Sequence, residues 1–293
     1  MFNDVEHAAS LFNLSNFGNI YSRLSNPTTA VLEERISSLE RGRGTTCTSS
    51  GHSAQLLALF TLMSPGDTLV ASNRLYGGSI TQFARTIKKF GWECEFVDVD
   101  DIDALREVLD RNRDTVKALW IESLANRTCL KSLSLSLFLS LASRCSSAMR
   151  EHIYTFILVP SCFALLTQQH PTHLNSAGGV ISDIQSLADA AHDNGIPLIC
   201  DNTLATPYLC QPIEHGADLV VHSTTKFLSG HGNAMGGAVV DSGKFDWAQN
   251  DKFPSLTRPE PAYHNLIFYE TFGDLAFTIF GHAVGLRDLG PVR

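Results

Sequence analysis

The sequence predicts an α/β fold with a mostly parallel sheet, and two patterns support this. Short apolar runs rich in Ile, Leu and Val alternate with segments whose apolar residues recur at helical spacing, which is typical of βαβ units. Several runs are apolar throughout and are bounded by turn residues, as expected for strands buried on both faces. The 293 residues, 44% of them hydrophobic, suffice for one large domain or two smaller ones.

The N-terminal part begins with two predicted helices. The helix at 27–41 starts with Pro27, and its apolar side chains recur at helical spacing. A second helix at 51–63 ends before the turn sequence Ser64-Pro65-Gly66-Asp67. From there the chain alternates between strands at 68–71, 93–97 and 116–122 and helices at 79–90 and 101–111.

The segment 127–177 interrupts this alternation. It holds two long apolar runs that have neither helix caps nor a polar counter-face. The run at 153–166 contains Pro160 and falls short of the about 20 residues that a membrane-spanning helix needs, so we predict no membrane segment. The alternation resumes with a helix at 181–194 and strands at 196–201, 219–222 and 237–240.

Composition argues against several classes of partner. The chain carries 22 basic and 30 acidic residues, and its net charge of −8 disfavours binding to nucleic acid or to an anionic membrane. Its seven cysteines include no CxxC pair and no metal-like spacing, which predicts a reduced, cytoplasmic protein without a metal site. Residues 1–7 lack the basic and apolar regions of a signal peptide.

Two chemically useful residues follow apolar runs. Asp201 ends the run at 196–201, and Lys226 follows the run at 219–222 through Ser223-Thr224-Thr225. Because ligands bind outside the carboxyl ends of parallel strands, we expect both side chains at one edge of the sheet. Pyridoxal 5'-phosphate (PLP) needs a lysine to form a Schiff base and an acid to keep its ring nitrogen protonated. The alternative, on spacing alone, is an ordinary strand-end aspartate and a solvated lysine.

Short motifs in one order extend this pattern over most of the chain. They are Tyr21-Ser22-Arg23, Asn26-Pro27-Thr28, Gly51-His52-Ser53-Ala54-Gln55, Leu75-Tyr76-Gly77-Gly78, Thr225-Lys226-Phe227 and Gly230-His231-Gly232. With them the chain resembles, over 2–126 and 178–290, the PLP-dependent enzymes of Cys/Met metabolism (trans-sulfuration), and most closely the O-acetylhomoserine sulfhydrylases. The resemblance implies the large domain of a fold-type-I PLP-dependent transferase, with PLP as its cofactor.

The resemblance implies three catalytic residues and a set of cofactor ligands. Lys226 would form the Schiff base and shuttle protons, Asp201 would pair with the ring nitrogen, and Tyr76 would stack on the ring. Backbone donors at the start of the helix at 51–63 suit the phosphate. The predicted cofactor-binding residues are Tyr21, Arg23, Ser50, Gly51, His52, Tyr76, Asn126, Asp201, Thr203, Ser223, Thr225 and Lys226.

Three of these assignments depend on an extended backbone. Thr203 lies two residues after Asp201 and points to the same side if the chain stays extended. Ser223 and Thr225 share one face on the same condition, and both could then donate hydroxyl groups to the phosphate.

Other assignments rest on the resemblance alone. Asn126 would hydrogen-bond the phenolic oxygen of the cofactor, and Glu122 would shape the same strand end. Tyr21 and Arg23 would reach the phosphate bound by a neighbouring subunit. The resemblance therefore implies a homodimer or homotetramer.

The resemblance also divides the chain into three parts. Residues 1–35 correspond to a fragment of the N-terminal arm, 36–280 to the PLP-binding large domain, and 281–293 to the start of a small C-terminal domain that is largely missing. In the family a single proline replaces 127–177, so we interpret this segment as an atypical insert that resembles a retained intron. On this interpretation the chain is truncated and lacks the arginine that binds the substrate carboxylate.

The implied activity is γ-replacement on O-acetyl-L-homoserine by sulfide or a thiol, a reaction of methionine biosynthesis and cysteine metabolism. The expected partners are therefore an amino-acid substrate and a small sulfur nucleophile. Two alternatives stay open: a γ- or β-lyase of the same family that acts on cystathionine or methionine, and a non-catalytic truncated product.

Overall fold

The computed structural model of the protein describes residues 2–125 and 180–290. The described residues up to Leu124 and from Ser182 onward belong to one compact unit. Its first elements are α1 (Val5–Phe12), α2 (Pro27–Glu40), β1 (Gly44–Thr48), α3 (Gly51–Leu62), β2 (Thr68–Ser72), α4 (Gly77–Thr81), β3 (Glu93–Val97), α5 (Ile102–Arg111) and β4 (Val116–Glu122). A π turn at Gln82–Thr86 and a 3-10 turn at Ile87–Phe90 extend α4.

The described residues from Ser182 onward complete this unit, to which Val180 and Ile181 do not belong. Two short strands, β5 (Leu124–Ala125) and β6 (Val180–Ile181), form a separate small sheet. The elements that follow are α6 (Ile184–Asp193), β7 (Leu198–Asp201), α7 (Thr206–Leu209), β8 (Leu219–His222), β9 (Gly237–Asp241), α8 (Pro254–Thr257), α9 (Phe268–Phe272), α10 (Ala276–Phe280) and α11 (Arg287–Leu289).

The large sheet has the strand order β1-β9-β8-β7-β4-β2-β3. Pairing is parallel from β3 through β2, β4 and β7 to β8, and antiparallel on both sides of β9. Since two antiparallel pairings restore the direction, β1 runs the same way as β8. Every strand of this sheet except β9 therefore ends at one edge, which we call the carboxyl edge.

Alternate residues of the central strands pack into two hydrophobic cores, one on each face of the sheet. On one face Trp120 of β4 meets Phe83 edge-on, with ring centroids 5.1 Å apart, in a core that includes side chains of α3 and α10. On the other face Leu119 and Ile121 pack with side chains of α5 and α6. Burial on both faces explains why consecutive residues such as Ala118–Ile121 are apolar in these strands.

The predicted α/β class and the mostly parallel sheet are confirmed. The expected helix at 181–194 is wrong at its start, because Val180–Ile181 is a strand and the helix begins at Ile184. Asp183 sets that boundary as the N-cap, where its carboxylate accepts a hydrogen bond from the Ser186 N–H at 3.3 Å. Strand β1 was not predicted.

Some expectations concern residues that the structure does not describe. Asn126 and the whole of the proposed insert at 127–177 lie outside 2–125 and 180–290. The division of the chain at 35 and 280 stays a prediction, and α2 runs through the first of these boundaries. Across the described ranges, no helix combines the length and the apolar character needed to cross a membrane.

Candidate active site

The carboxyl edge of the sheet collects polar side chains from five strands. Those at or just after the strand ends are Ser50 after β1, Tyr76 after β2, Glu122 in β4, Asp201 in β7, and Ser223 to Lys226 after β8. The topology thus brings together residues that are far apart in sequence, as the strand-end argument predicted.

Asp201 is held at this edge by two neighbours. Its Oδ1 accepts a hydrogen bond from the Thr203 N–H at 3.0 Å, and its Oδ2 lies 3.4 Å from Gln55 Nε2. Burial raises the pKa of Asp201, and the hydrogen bonds from Thr203, the charge of His222 and the contact with Gln55 act in the opposite direction. None of the ion pairs in the described part of the chain includes Asp201. A cationic N–H partner would therefore stabilise its ionised form.

Gln55 carried no predicted role, although it belongs to the motif that starts at Gly51. Its Nε2 also donates to Ser79 Oγ at 2.8 Å, so the carboxamide bridges Ser79 and Asp201. It lies four residues after Gly51 on α3, and this spacing places both residues on one helix face. That periodicity is the sequence signal that points to Gln55.

Thr203 and Ser223 connect the end of β7 to the start of α3. Thr203 Oγ1 accepts a hydrogen bond from the Ser223 N–H at 2.8 Å. A Cβ added at Gly51 would lie 2.7 Å from Ser223 Cβ and 3.0 Å from its Cα, so only glycine allows this approach. The chain turns at 203–205 instead of staying extended. The reason predicted for the position of Thr203 was therefore wrong, because a turn closed by Asp201 sets it.

The N-terminus of α3 faces this contact. Ser50 is the N-cap, and its hydroxyl accepts a hydrogen bond from the Ser53 N–H at 3.1 Å. The first turn of a helix has N–H groups without intrahelical partners, and the helix dipole adds partial positive charge there. Such an end is suited to bind a phosphate or another anion.

Two aromatic rings lie beside this helix end. The ring centroids of His52 and Tyr76 are 6.0 Å apart, and the Tyr76 N–H donates to Glu122 Oε1 at 2.6 Å. A Cβ at Gly78 would come within 2.4 Å of Tyr76 Cε1 and 2.8 Å of His52 Cε1. Gly78 therefore leaves room for both rings. The Tyr76 side chain is 52% exposed, so one part of it is available to a ligand.

Lys226 lies in a turn and not on an extended strand. The chain turns over 224–229, and the Lys226 N–H donates to Ser223 O at 3.2 Å. Thr225 Oγ1 accepts from the Gly236 N–H at 3.1 Å and lies 3.2 Å from Gly236 O. The alternation that was expected to place Ser223 and Thr225 on one face is therefore wrong, because the backbone is not extended there. Lys226 is exposed.

Tyr21 and Arg23 form a pair of exposed residues in the N-terminal segment. Arg23 Nη2 donates to Tyr21 Oη at 2.9 Å, and its guanidinium carbon lies 5.2 Å from the centroid of the Tyr21 ring. Arg23 Nη1 also lies 3.5 Å from Arg287 O. Their predicted role at a neighbouring subunit stays a prediction.

Comparison with known proteins identifies the family. A family model described as Cys/Met metabolism PLP-dependent enzyme matches residues 1–141 and 175–284. The chain belongs to this family. The curated relatives include the O-acetyl-L-homoserine sulfhydrylase of Leptospira meyeri, 38% identical over 99% of this chain and 55% of the relative. They also include the homocysteine synthase of Schizosaccharomyces pombe, 37% identical over 99% of this chain and 56% of the relative. The chain thus spans slightly more than half the length of these relatives.

A solved structure supports the same assignment to the Cys/Met-metabolism family. It is a putative O-acetylhomoserine (thiol)-lyase from Campylobacter jejuni that carries an N'-pyridoxyl-lysine-5'-monophosphate. It is 35% identical to this chain, has a TM-score of 0.78, and is matched over 100% of this chain and 59% of its own. The predicted family and the fold-type-I class are confirmed. The reading of 127–177 as an insert stays a hypothesis.

The residues of the carboxyl edge fit the PLP on which this family depends. A ring with a protonated nitrogen matches the half-buried Asp201 carboxylate, which has no ion-pair partner in the described ranges. A phosphate matches the start of α3, where Gly51 admits close approach. Lys226 is exposed, and its amine would supply the nucleophile. Asn126 lies outside the described residues and takes no part in this test.

Proposed function

We propose that this chain binds PLP at the carboxyl edge and catalyses γ-replacement on O-acetyl-L-homoserine by sulfide or a thiol. The observation that carries the proposal is the chain of contacts from Asp201 through Thr203 and Ser223 to Gly51. It joins a site for a ring nitrogen to a site for a phosphate, next to a lysine. The names of the relatives in the sulfhydrylase and homocysteine synthase group support the choice of reaction.

The residues of the site would divide the tasks of this reaction. Bound PLP supplies an electron sink for the carbon atoms of the amino acid. Asp201 would hold the proton on the ring nitrogen, and Tyr76 would cover one face of the ring. Lys226 Nζ would hold the cofactor covalently and then move the proton of the substrate Cα.

The phosphate would be held by the start of α3 and its surroundings. The donors are the N–H groups of Gly51 and His52 together with the hydroxyl groups of Ser50 and Ser223. Thr203 would hold Ser223 in place through their 2.8 Å hydrogen bond. Predicted roles also remain for Thr225, Asn126, Tyr21 and Arg23.

We further propose that the protein acts as a cytoplasmic homodimer or homotetramer. Large apolar side chains are exposed near Lys226, among them Tyr208 (92% exposed) and Phe227 (63%). They line an open cavity of about 620 Å³ together with Leu39 and Leu228. Apolar patches of this kind are typical of protein interfaces. The net charge of −8 disfavours nucleic acid and anionic membranes as partners.

The reaction can be tested directly with purified protein, PLP, O-acetyl-L-homoserine and sulfide. We expect homocysteine to form at a rate that depends on the sulfide concentration. Formation of a keto acid without sulfide would instead indicate a lyase. Cofactor binding without either product would mean that the chain is not catalytic by itself.

Substituting Gly51 tests the phosphate site. In Gly51→Ala the new methyl group would meet Ser223 at 2.7 Å, so the helix start and the strand end must separate. We expect the dissociation constant for PLP to rise about tenfold, which corresponds to about 1.4 kcal/mol. Gly77→Ala is the matched control, since nothing lies within 4 Å of a Cβ there. Equal PLP affinity of the two variants would contradict the assignment.

A further inference from the structure

A buried polar cluster lies directly behind the strand ends that carry the proposed site. Glu40, the last residue of α2, and His222, the last residue of β8, are both 0% exposed. Glu40 Oε1 lies 2.6 Å from His222 Nε2 and accepts a hydrogen bond from Asn202 Nδ2 at 2.8 Å. A single carboxylate oxygen therefore bridges the ends of β7 and β8.

The two residues held by Glu40 are sequence neighbours of site residues. Asn202 follows Asp201, and His222 precedes Ser223. The Asn202 N–H also donates to Val221 O at 2.9 Å, and its Oδ1 accepts from Ser123 Oγ at 2.7 Å. Displacement of either strand end would therefore move the carboxylate of Asp201 relative to Ser223 and the start of α3.

Burying the polar side chains of this cluster costs free energy of folding, which suggests that they have a role other than stabilising the fold. Glu40 Oε2 and His222 Nδ1 are buried and have no hydrogen-bond partner in the described part of the chain. A buried polar atom without a hydrogen-bond partner destabilises the folded state. An apolar residue at the end of α2 would avoid that cost. The cluster also acts on the site electrostatically, because the interaction with His222 lowers the pKa of Asp201.

We propose that Glu40 is a positioning residue, which fixes the distance between the Asp201 and Ser223 strand ends by bridging His222 and Asn202. The proposal rests on the proposed function, since the geometry in question is that of the PLP site. It extends the proposed site by one residue of α2 that would touch neither the cofactor nor the substrate. Glu40 acts through the length of its side chain and its acceptor oxygen.

The test compares two single substitutions of Glu40. Glu40→Gln keeps the length and the Oε1 acceptor, whereas Glu40→Asp keeps the charge but is one methylene too short to reach both donors. We expect the dissociation constant of PLP, measured by equilibrium dialysis, to stay within about threefold of the unsubstituted protein in Glu40→Gln and to rise about tenfold in Glu40→Asp.

A second buried carboxylate, Asp218, makes a similar bridge at the opposite edge of the sheet and provides a control. Asp218 Oδ2 lies 2.7 Å from His192 Nε2 and accepts from the Leu198 N–H at 2.8 Å, at the amino ends of β7 and β8. We expect Asp218→Glu to lower the unfolding temperature and to leave PLP affinity unchanged. If Glu40→Asp behaves in the same way, Glu40 serves stability only and the proposal is wrong.

Three further outcomes are decisive. If Glu40→Gln impairs PLP binding and Glu40→Asp does not, the site depends on the negative charge at position 40 and not on the bridge. This result would overturn the proposal. If Glu40→Asp does not fold, Asn202→Ala removes one arm of the bridge, and unchanged PLP affinity in that variant would equally overturn the proposal. Failure of the unsubstituted protein to bind PLP would instead refute the proposed function. Measuring the unsubstituted protein first separates this outcome from the others.

Discussion

Lys226→Ala is expected to abolish the reaction and the covalent retention of PLP. The side chain is exposed in a turn, so its loss should leave the unfolding temperature nearly unchanged. Removing the residue that both bonds the cofactor and moves the substrate proton should lower kcat/KM about 1,000-fold or more. The measurements are the rate of homocysteine formation and the visible absorbance of the protein after gel filtration with PLP.

Lys89→Ala provides the control for Lys226→Ala. Lys89 is also exposed, and it lies in the 3-10 turn after α4. We expect it to keep both the activity and the absorbance. Retained absorbance and activity in Lys226→Ala would show that another amine binds the cofactor, and the assignment of the site would then fail.

Asp201→Asn is expected to reduce turnover much more than cofactor binding. The amide keeps the shape of the side chain and an oxygen that can accept from the Thr203 N–H, but it removes the charge that holds a proton on the ring nitrogen. Loss of one such electrostatic contact typically lowers kcat by about 100- to 1,000-fold. We expect the dissociation constant of PLP to change by about threefold or less, since the phosphate contacts persist.

A second strand-end aspartate serves as the control. Asp98 follows β3 at the same edge and pairs with Arg74 at 3.1 Å, and Arg74 also contacts Asp100. Asp98→Asn should therefore leave kcat unchanged. An equal loss of PLP binding and turnover in Asp201→Asn would indicate that Asp201 is structural.

The positions of the strand ends could be predicted because the central strands are apolar on both faces. Runs such as 116–122 and 219–222 have no polar alternation, and the structure buries them between two cores. Parallel pairing then places Asp201 and the segment after His222 at one edge. Strand β1 could not be found in this way, because Gly44-Thr45-Thr46-Cys47-Thr48 has no Ile, Leu or Val. Its place in the sheet is set by antiparallel pairing with β9.

The local geometry of the site was less accessible to sequence reasoning. Alternation along an extended chain was the geometric argument for Thr203 and Thr225, and the chain turns at both places. The roles of Gln55 and Glu40 depend on contacts between residues that are far apart in sequence, 146 residues for Gln55 and Asp201. Periodicity within α3 places Gln55 on the same helix face as Gly51, but no pattern within one element identifies Asp201 as its partner or the partners of Glu40.

The position of the covalent bond to the cofactor tests the central claim most directly. The protein would be incubated with PLP, reduced with borohydride, digested and analysed by mass spectrometry. We expect a single pyridoxyl modification, on the peptide that contains Lys226. Modification of a different lysine, such as Lys244, or of no lysine at all would contradict the assignment of the active site.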